Sequence, residues 1–216
     1  MHALPPLEQP VEWLLLVLDG AGIFVFAVSG AALALRERLD LFGVLLLAFV
    51  TALFGGILRD LLLGATPPET LTSWRNAAIA LSGGIFTILA RNGIGRLAKP
   101  VRLFDAIGLG LFAAAGTGKA LDFQVDPLMA PAVGMVVGIG GGILRDLLVT
   151  RTPLVLQAEI YAVAALAGGY AVVAGQALGI AAQPAMIGGA LLCLGLRLLA
   201  LYRGWTLWQP PAPPGL

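Results

Sequence analysis

The residues of this chain best suited to chemistry occur twice. Gly55-Gly56-Ile57-Leu58-Arg59-Asp60-Leu61-Leu62 is matched, residue for residue, by Gly141-Gly142-Ile143-Leu144-Arg145-Asp146-Leu147-Leu148. Each copy sets glycines, a guanidinium and a carboxylate inside an otherwise apolar run. A charge at membrane depth faces the protein interior, finds a partner there, and tends to mark a path for ions or protons. Neighbours on a helix do not face each other, so Arg59 and Asp60, like Arg145 and Asp146, are poorly placed to neutralise themselves. Partners are expected on other spans. Position along the chain matches Asp19 with Arg59 at one depth and Asp105 with Arg145 at another. Such pairs either fix helix register or line and gate a pathway, and the residues alone leave both readings open. Lys119 has Leu33 as its counterpart in the first copy. It either snorkels to the interface or acts as a gating or field-sensing charge.

Glycines give the second half of the signature. Gly55 and Gly56 in one copy, and Gly140, Gly141 and Gly142 in the other, lower helix propensity by about 1 kcal/mol each. They favour a kink or an unwound turn, which in lipid is tolerated only beside protein or water. The alternative is close helix packing, since Gly134, Gly138 and Gly142 recur every four residues. The hydroxyls of Ser29, Thr51, Ser82, Thr87 and Thr117 are expected to bond the carbonyls of the preceding turn.

Other chemistries lack their residues. The one histidine is His2 and the one cysteine is Cys193, which removes histidine-based metal sites, nucleophilic triads and an intramolecular disulfide. No metal ligands are assigned and no cofactor is expected. A net charge of +1 gives no basic face for nucleic acid. An enzyme is not expected, because neither clustered carboxylates nor a serine beside a base is present within the apolar runs.

Positioning these residues requires a membrane. Hydrophobic residues make up 59% of the 216, charged residues 12%, and mean hydropathy is +0.94. A soluble chain this small cannot bury so much apolar surface. Seven apolar spans are expected, at 11–35, 41–63, 75–90, 102–121, 128–149, 158–178 and 184–202, the third being the shortest. Arg36, Arg38, Arg91, Arg96, Lys99, Arg102, Arg145, Arg151 and Arg203 then fall on one side, against Arg59, Arg75 and Lys119 on the other. The positive-inside rule places the N-terminus outside and the C-terminus in the cytoplasm of a bacterial or archaeal inner membrane. Trp205 and Trp208 beside Arg203 read as an interface anchor, and membrane lipids are the expected surroundings.

The duplicated signature belongs to a longer repeat. At an offset of 86 residues, Asp19, Gly22, Phe26, Ala27 and Gly30 match Asp105, Gly108, Phe112, Ala113 and Gly116, Asp40 matches Asp126, and Pro67 matches Pro153. The expected fold is an all-α membrane protein in one domain over 1–216. Repeat one covers 12–95, repeat two 98–181, and a seventh helix at 184–203 lies outside both; the Pro-rich tail 209–216 is expected to be disordered. Three spans per repeat force the second copy to enter the membrane from the opposite side, an arrangement suited to moving solutes.

Two three-helix units, each with Gly-Gly-Ile-Leu-Arg-Asp-Leu-Leu followed by Pro67 or Pro153, resemble the prokaryotic trimeric intracellular cation (TRIC) channel family over about residues 12 to 203. The resemblance implies a homotrimer with one pore per subunit. It implies permeation by monovalent cations, chiefly potassium, along kinked second and fifth helices. Gly55, Gly56, Arg59, Asp60, Gly140, Gly141, Gly142, Arg145 and Asp146 carry the family positions. Phe54 in place of a third glycine departs from equal kinking. The competing expectation is a carrier for a small amino acid such as glycine, with which the same repeat has been associated.

Overall fold

The computed structural model describes residues 10–90, 99–157, 160–205 and 207. Among these there are eight α-helices and no strand: α1 (Pro10–Arg36), α2 (Leu41–Leu62), α3 (Glu69–Thr72), α4 (Trp74–Leu89), α5 (Lys99–Asp122), α6 (Ala130–Leu148), α7 (Ala162–Ala177) and α8 (Ala182–Arg203), with a 3-10 turn at Leu154–Leu156. The expected tail at 209–216 lies outside the described residues, as do Arg91, Arg96 and Trp208.

Every expected span contains a helix, with ends shifted by a few residues. Five helices are long and apolar enough to cross a membrane: Val17–Arg36, Leu41–Leu62, Val101–Asp122, Ala130–Leu148 and Ala182–Arg203. α4 and α7 have 16 residues each. At about 1.5 Å per residue they fall short of a hydrocarbon core about 30 Å thick.

Local chemistry sets the helix ends. Asp40 caps α2, its Oδ1 accepting from the Gly43 amide at 2.7 Å. α1 and α5 end in the same way. Arg38 and Gln124, at the repeat offset, both adopt positive φ (58° and 60°). The next amides, Leu39 and Val125, reach back to Ala34 O and Ala120 O at 3.0 Å. These are Schellman-type closures that satisfy carbonyls left open at a helix end. Gly64 and Thr150 repeat the pattern after α2 and α6, with φ of 72° and 55°.

In the first half, α1, α2 and α4 pack together; in the second, α5, α6 and α7 do, and α8 covers α7 and α5. The halves meet through α1 against α5 and α2 against α6, and the contacts are reciprocal. Phe26 and Phe112 stack with centroids 5.3 Å apart and planes 15° apart. A methyl group at Gly22 would touch the Phe112 ring at 3.4 Å, and one at Gly108 would press the Phe26 ring at 2.9 Å. Likewise Gly55 lies against Val137 O, where a methyl group would come to 2.6 Å, and Gly141 lies against Thr51 O. As residue number rises along one helix it falls along its partner, so α1 and α5 run antiparallel, and so do α2 and α6.

α2 and α6 are helical through Gly55-Gly56 and Gly140-Gly141-Gly142. Of the kink or unwound turn expected at these glycines, the unwound turn does not form. Each helix keeps its own hydrogen bonds, and the missing Cβ atoms instead admit the neighbouring backbone, as in close helix crossings. Phe54, where the second copy has glycine, packs across the crossing. Its ring lies beside Gly140, where a methyl group would stand at ordinary contact distance, 3.6 Å.

Candidate functional site: two Arg–Asp clusters at opposite ends

Arg59 and Arg145 each stand near the C-terminal end of their helix. Because α2 and α6 are antiparallel, the two signatures fall at opposite ends of the bundle. In both, arginine and its neighbouring aspartate do bond: Arg59 Nε donates to Asp60 Oδ1 at 3.0 Å, and Arg145 Nε to Asp146 Oδ1 at 2.8 Å. This corrects the expectation from helix geometry. The arginine side chain is long enough to fold back onto a carboxylate one residue on. Each carboxylate also receives the segment beyond the helix. Asp60 Oδ2 accepts from the Thr70 amide (3.2 Å) and hydroxyl (3.1 Å), and Asp146 Oδ2 accepts from the Leu154 amide (3.0 Å). Thr70 is a member of the site that the sequence reading missed.

The expected partners on neighbouring helices are present but unequal. Arg145 Nη1 donates to Asp105 Oδ1 at 2.6 Å and to Ser29 Oγ at 2.7 Å. Ser29 in turn donates to Val101 O at 3.3 Å, so it links halves rather than satisfying itself. Thr51, Ser82, Thr87 and Thr117 do bond the preceding turn of their own helices. Arg59 Nη1 stands 3.7 Å from Asp19 Oδ2, and the Asp19 side chain is 40% exposed where that of Asp105 is 0%. The end near Asp19 holds a cavity of about 130 Å³ lined by Asp19, Arg59, Glu69, Thr70, Arg75 and Asn76 among others. The other end holds one of about 400 Å³ with Arg36, Arg102, Arg145, Asp146 and Arg151 on its walls.

Lys119 breaks the symmetry by reaching inward. Its Nζ lies 3.2 Å from Asp60 Oδ1 and 2.8 Å from Glu69 Oε2, tying α5 to α2 and α3. Arg151 pairs with Glu37 across the turns after α6 and α1. Buried Tyr161 and Arg197 also escaped the reading of site residues. Arg197 Cζ sits 4.5 Å from the Tyr161 ring centroid. Their only sequence cue was Arg197 lying within the last apolar span. No group of three or more His, Cys, Asp or Glu is placed to hold a metal ion among the described residues.

Apolar helices enclosing charged clusters define a multi-pass membrane protein, and its fold is that of the TRIC channels. The crystal structure of the TRIC trimeric intracellular cation channel orthologue from Rhodobacter sphaeroides matches with a TM-score of 0.85 and 36% identity, covering 91% of this chain and 100% of that one. A prokaryotic TRIC channel crystallised in 0.5 M KCl matches with a TM-score of 0.83 and 31% identity, covering 91% and 100%. A family model described as glycine transporter matches residues 16–92 and 102–177. A UPF0126 membrane protein of Deinococcus radiodurans is 41% identical, over 93% of this chain and 91% of the relative. The UPF0126 inner membrane protein YadS of Escherichia coli K12 is 36% identical, over 89% and 93%. The chain belongs to this UPF0126 family of membrane proteins.

Proposed function

We propose that the chain is a cation channel, passing monovalent ions and chiefly potassium, with one pathway in each subunit of a homotrimer. The observation that carries this reading is the reciprocal antiparallel packing of α2 and α6, which sets a charged cluster and a cavity at each end of one bundle. That arrangement supports an inverted duplication with seven crossings. α4 and α7 then cross as short helices inside their three-helix units, and α8 is the added seventh. The similarity to structures described as TRIC cation channels supports the same conclusion. The pathway runs between Asp19 and Arg59 at one end and Asp105 and Arg145 at the other. It is bordered by Gly55, Gly56, Gly140, Gly141 and Gly142, with Asp60, Asp146 and Lys119 holding its walls. The arginine-rich side faces the cytoplasm of the inner membrane, and lipid surrounds the trimer.

A second reading, a carrier for a small amino acid such as glycine, is favoured by the description of the matching family model. Reconstitution into planar bilayers and liposomes separates the two. Unitary potassium currents support the channel. Saturable exchange of labelled glycine without unitary currents overturns it.

A further inference from the structure

The two ends of the bundle derive from one duplicated sequence and each holds a cavity, yet the aspartate is sealed from solvent at one end and open to it at the other. We propose that Tyr161, pinned by Arg197 of α8, is a positioning residue that seals the Asp105–Arg145 pair off from the cavity at its end and so closes the pathway between the two.

The argument begins at matching positions. Eighty-six residues before Tyr161 stands Arg75, an exposed residue on the wall of the cavity that holds Asp19 and Arg59. Tyr161 is only 2% exposed and lines a small cleft with Gly142, Arg145 and Asp146. The space over Gly142 is shared between Asp105 and Tyr161: a methyl group there would lie 3.3 Å from Asp105 Oδ1 and 3.4 Å from the Tyr161 hydroxyl. The aromatic side chain therefore stands where water would otherwise reach the carboxylate. Asp105 is fully buried, and the Tyr161 hydroxyl is one of its hydrogen-bond partners. A buried carboxylate that loses such a neighbour is strongly disfavoured and takes up water in its place.

Arg197 holds the seal in place. It is fully buried, lies over the Tyr161 ring, and donates from Nη1 to Ile160 O at 3.4 Å. A cation on a ring face is held more strongly away from water than at an exposed site. α8 lies outside the duplication, so the first half has no counterpart of Arg197. The asymmetry between the ends thus originates in the unrepeated helix.

The test is labelling of a Ser29→Cys reporter in proteoliposomes by a membrane-impermeant thiol reagent added to both sides. The native Cys193 is counted in a parallel sample without the reporter. Potassium flux is measured alongside, because the conduction part of the proposal rests on the channel reading above. Tyr161→Ala is expected to raise the labelling rate about tenfold or more, the size of a modest shift between closed and open populations, and to raise flux with it. Tyr161→Phe keeps the ring and should label like the parent. Arg197→Met should behave like Tyr161→Ala, and Arg197→Lys should restore slow labelling. Unchanged labelling in folded Tyr161→Ala overturns the proposal. Should that variant fail to fold, equal labelling of Arg197→Met and Arg197→Lys overturns it instead. Faster labelling without added flux, in a protein whose parent conducts, overturns the claim that this seal closes the pathway. A parent that passes no potassium defeats the channel reading, while the labelling still decides the seal.

Discussion

Arg145 and Asp105 meet at 2.6 Å with both side chains withdrawn from solvent, while their counterparts Arg59 and Asp19 stand 3.7 Å apart with the aspartate open to the surface. Sequence relatedness therefore does not carry over into equal energetics. A buried ion pair that loses one partner leaves an uncompensated charge; Arg59 is buried too, but it keeps Asp60 at 3.0 Å when Asp19 is lost, and the half-exposed Asp19 is screened by solvent.

The first prediction follows from that difference. Asp105→Asn should lower stability by about 3 kcal/mol and Asp19→Asn by no more than about 1 kcal/mol. Thermal unfolding in detergent measures both. A double-mutant cycle of Asp105→Asn with Arg145→Gln should show strong coupling, and equal losses at Asp19 and Asp105 would contradict the assignment.

Glycine substitution should separate close approach from helix propensity. Alanine at Gly141 gains about 1 kcal/mol of intrinsic helix preference, but its methyl group meets the Thr51 carbonyl oxygen. Backbone cannot yield as a side-chain tip can, so the net effect should be a loss of about 1–3 kcal/mol. Gly55→Ala, facing Val137 O, should behave alike. Gly140→Ala meets only side chains, Leu58 at 3.2 Å and Phe54 at 3.6 Å, and should be the mildest of the three. Unfolding midpoints and unitary conductance report the outcome, and a stabilised Gly141→Ala protein with unchanged conductance would refute it.

Lys119 is expected to couple unequally to its two carboxylates. Asp60 is fully buried and Glu69 is mostly exposed. Coupling in double-mutant cycles of Lys119→Met should exceed about 1 kcal/mol with Asp60→Asn and stay below about 0.5 kcal/mol with Glu69→Gln. Comparable values for the two would mean that the lysine binds the pair as a diffuse charge.

Topology has a direct assay. In a Cys193→Ala background, Gln183→Cys should be labelled from the periplasm and Leu39→Cys from the cytoplasm. Gln124→Cys, between α5 and α6, should be labelled from the periplasm as well: labelling from the side of Leu39 would show that α4 does not cross, and labelling from the side opposite Gln183 would show that α7 does not.

Native mass spectrometry of the detergent-solubilised protein should give a mass of three subunits. A conducting monomer or dimer would separate this chain from the assembly named in its structural relatives.

Much was already written in the chain. Mean hydropathy dictated the solvent, because no fold of 216 residues hides that much apolar surface from water. The helices and most of their ends followed from apolar runs and from breaks such as Asp40 and Asp126-Pro127. The match at 86 residues paired Asp19 with Arg59 and Asp105 with Arg145, since a charge in an apolar helix must find its partner at the same depth. Tertiary structure decided what the glycines do and how the two ends differ. A glycine pair favours an unwound turn and a close crossing alike, and only the position of a neighbour's carbonyl selects between them. The bond from arginine to the next aspartate depends on a side-chain path that residue spacing does not describe. Ser29 of α1, Tyr161 just before α7 and Arg197 of α8 join the second cluster from positions far apart in sequence. No local pattern marks their partners, because these contacts exist only once α1 meets α5 and α6 and α8 packs over the second half.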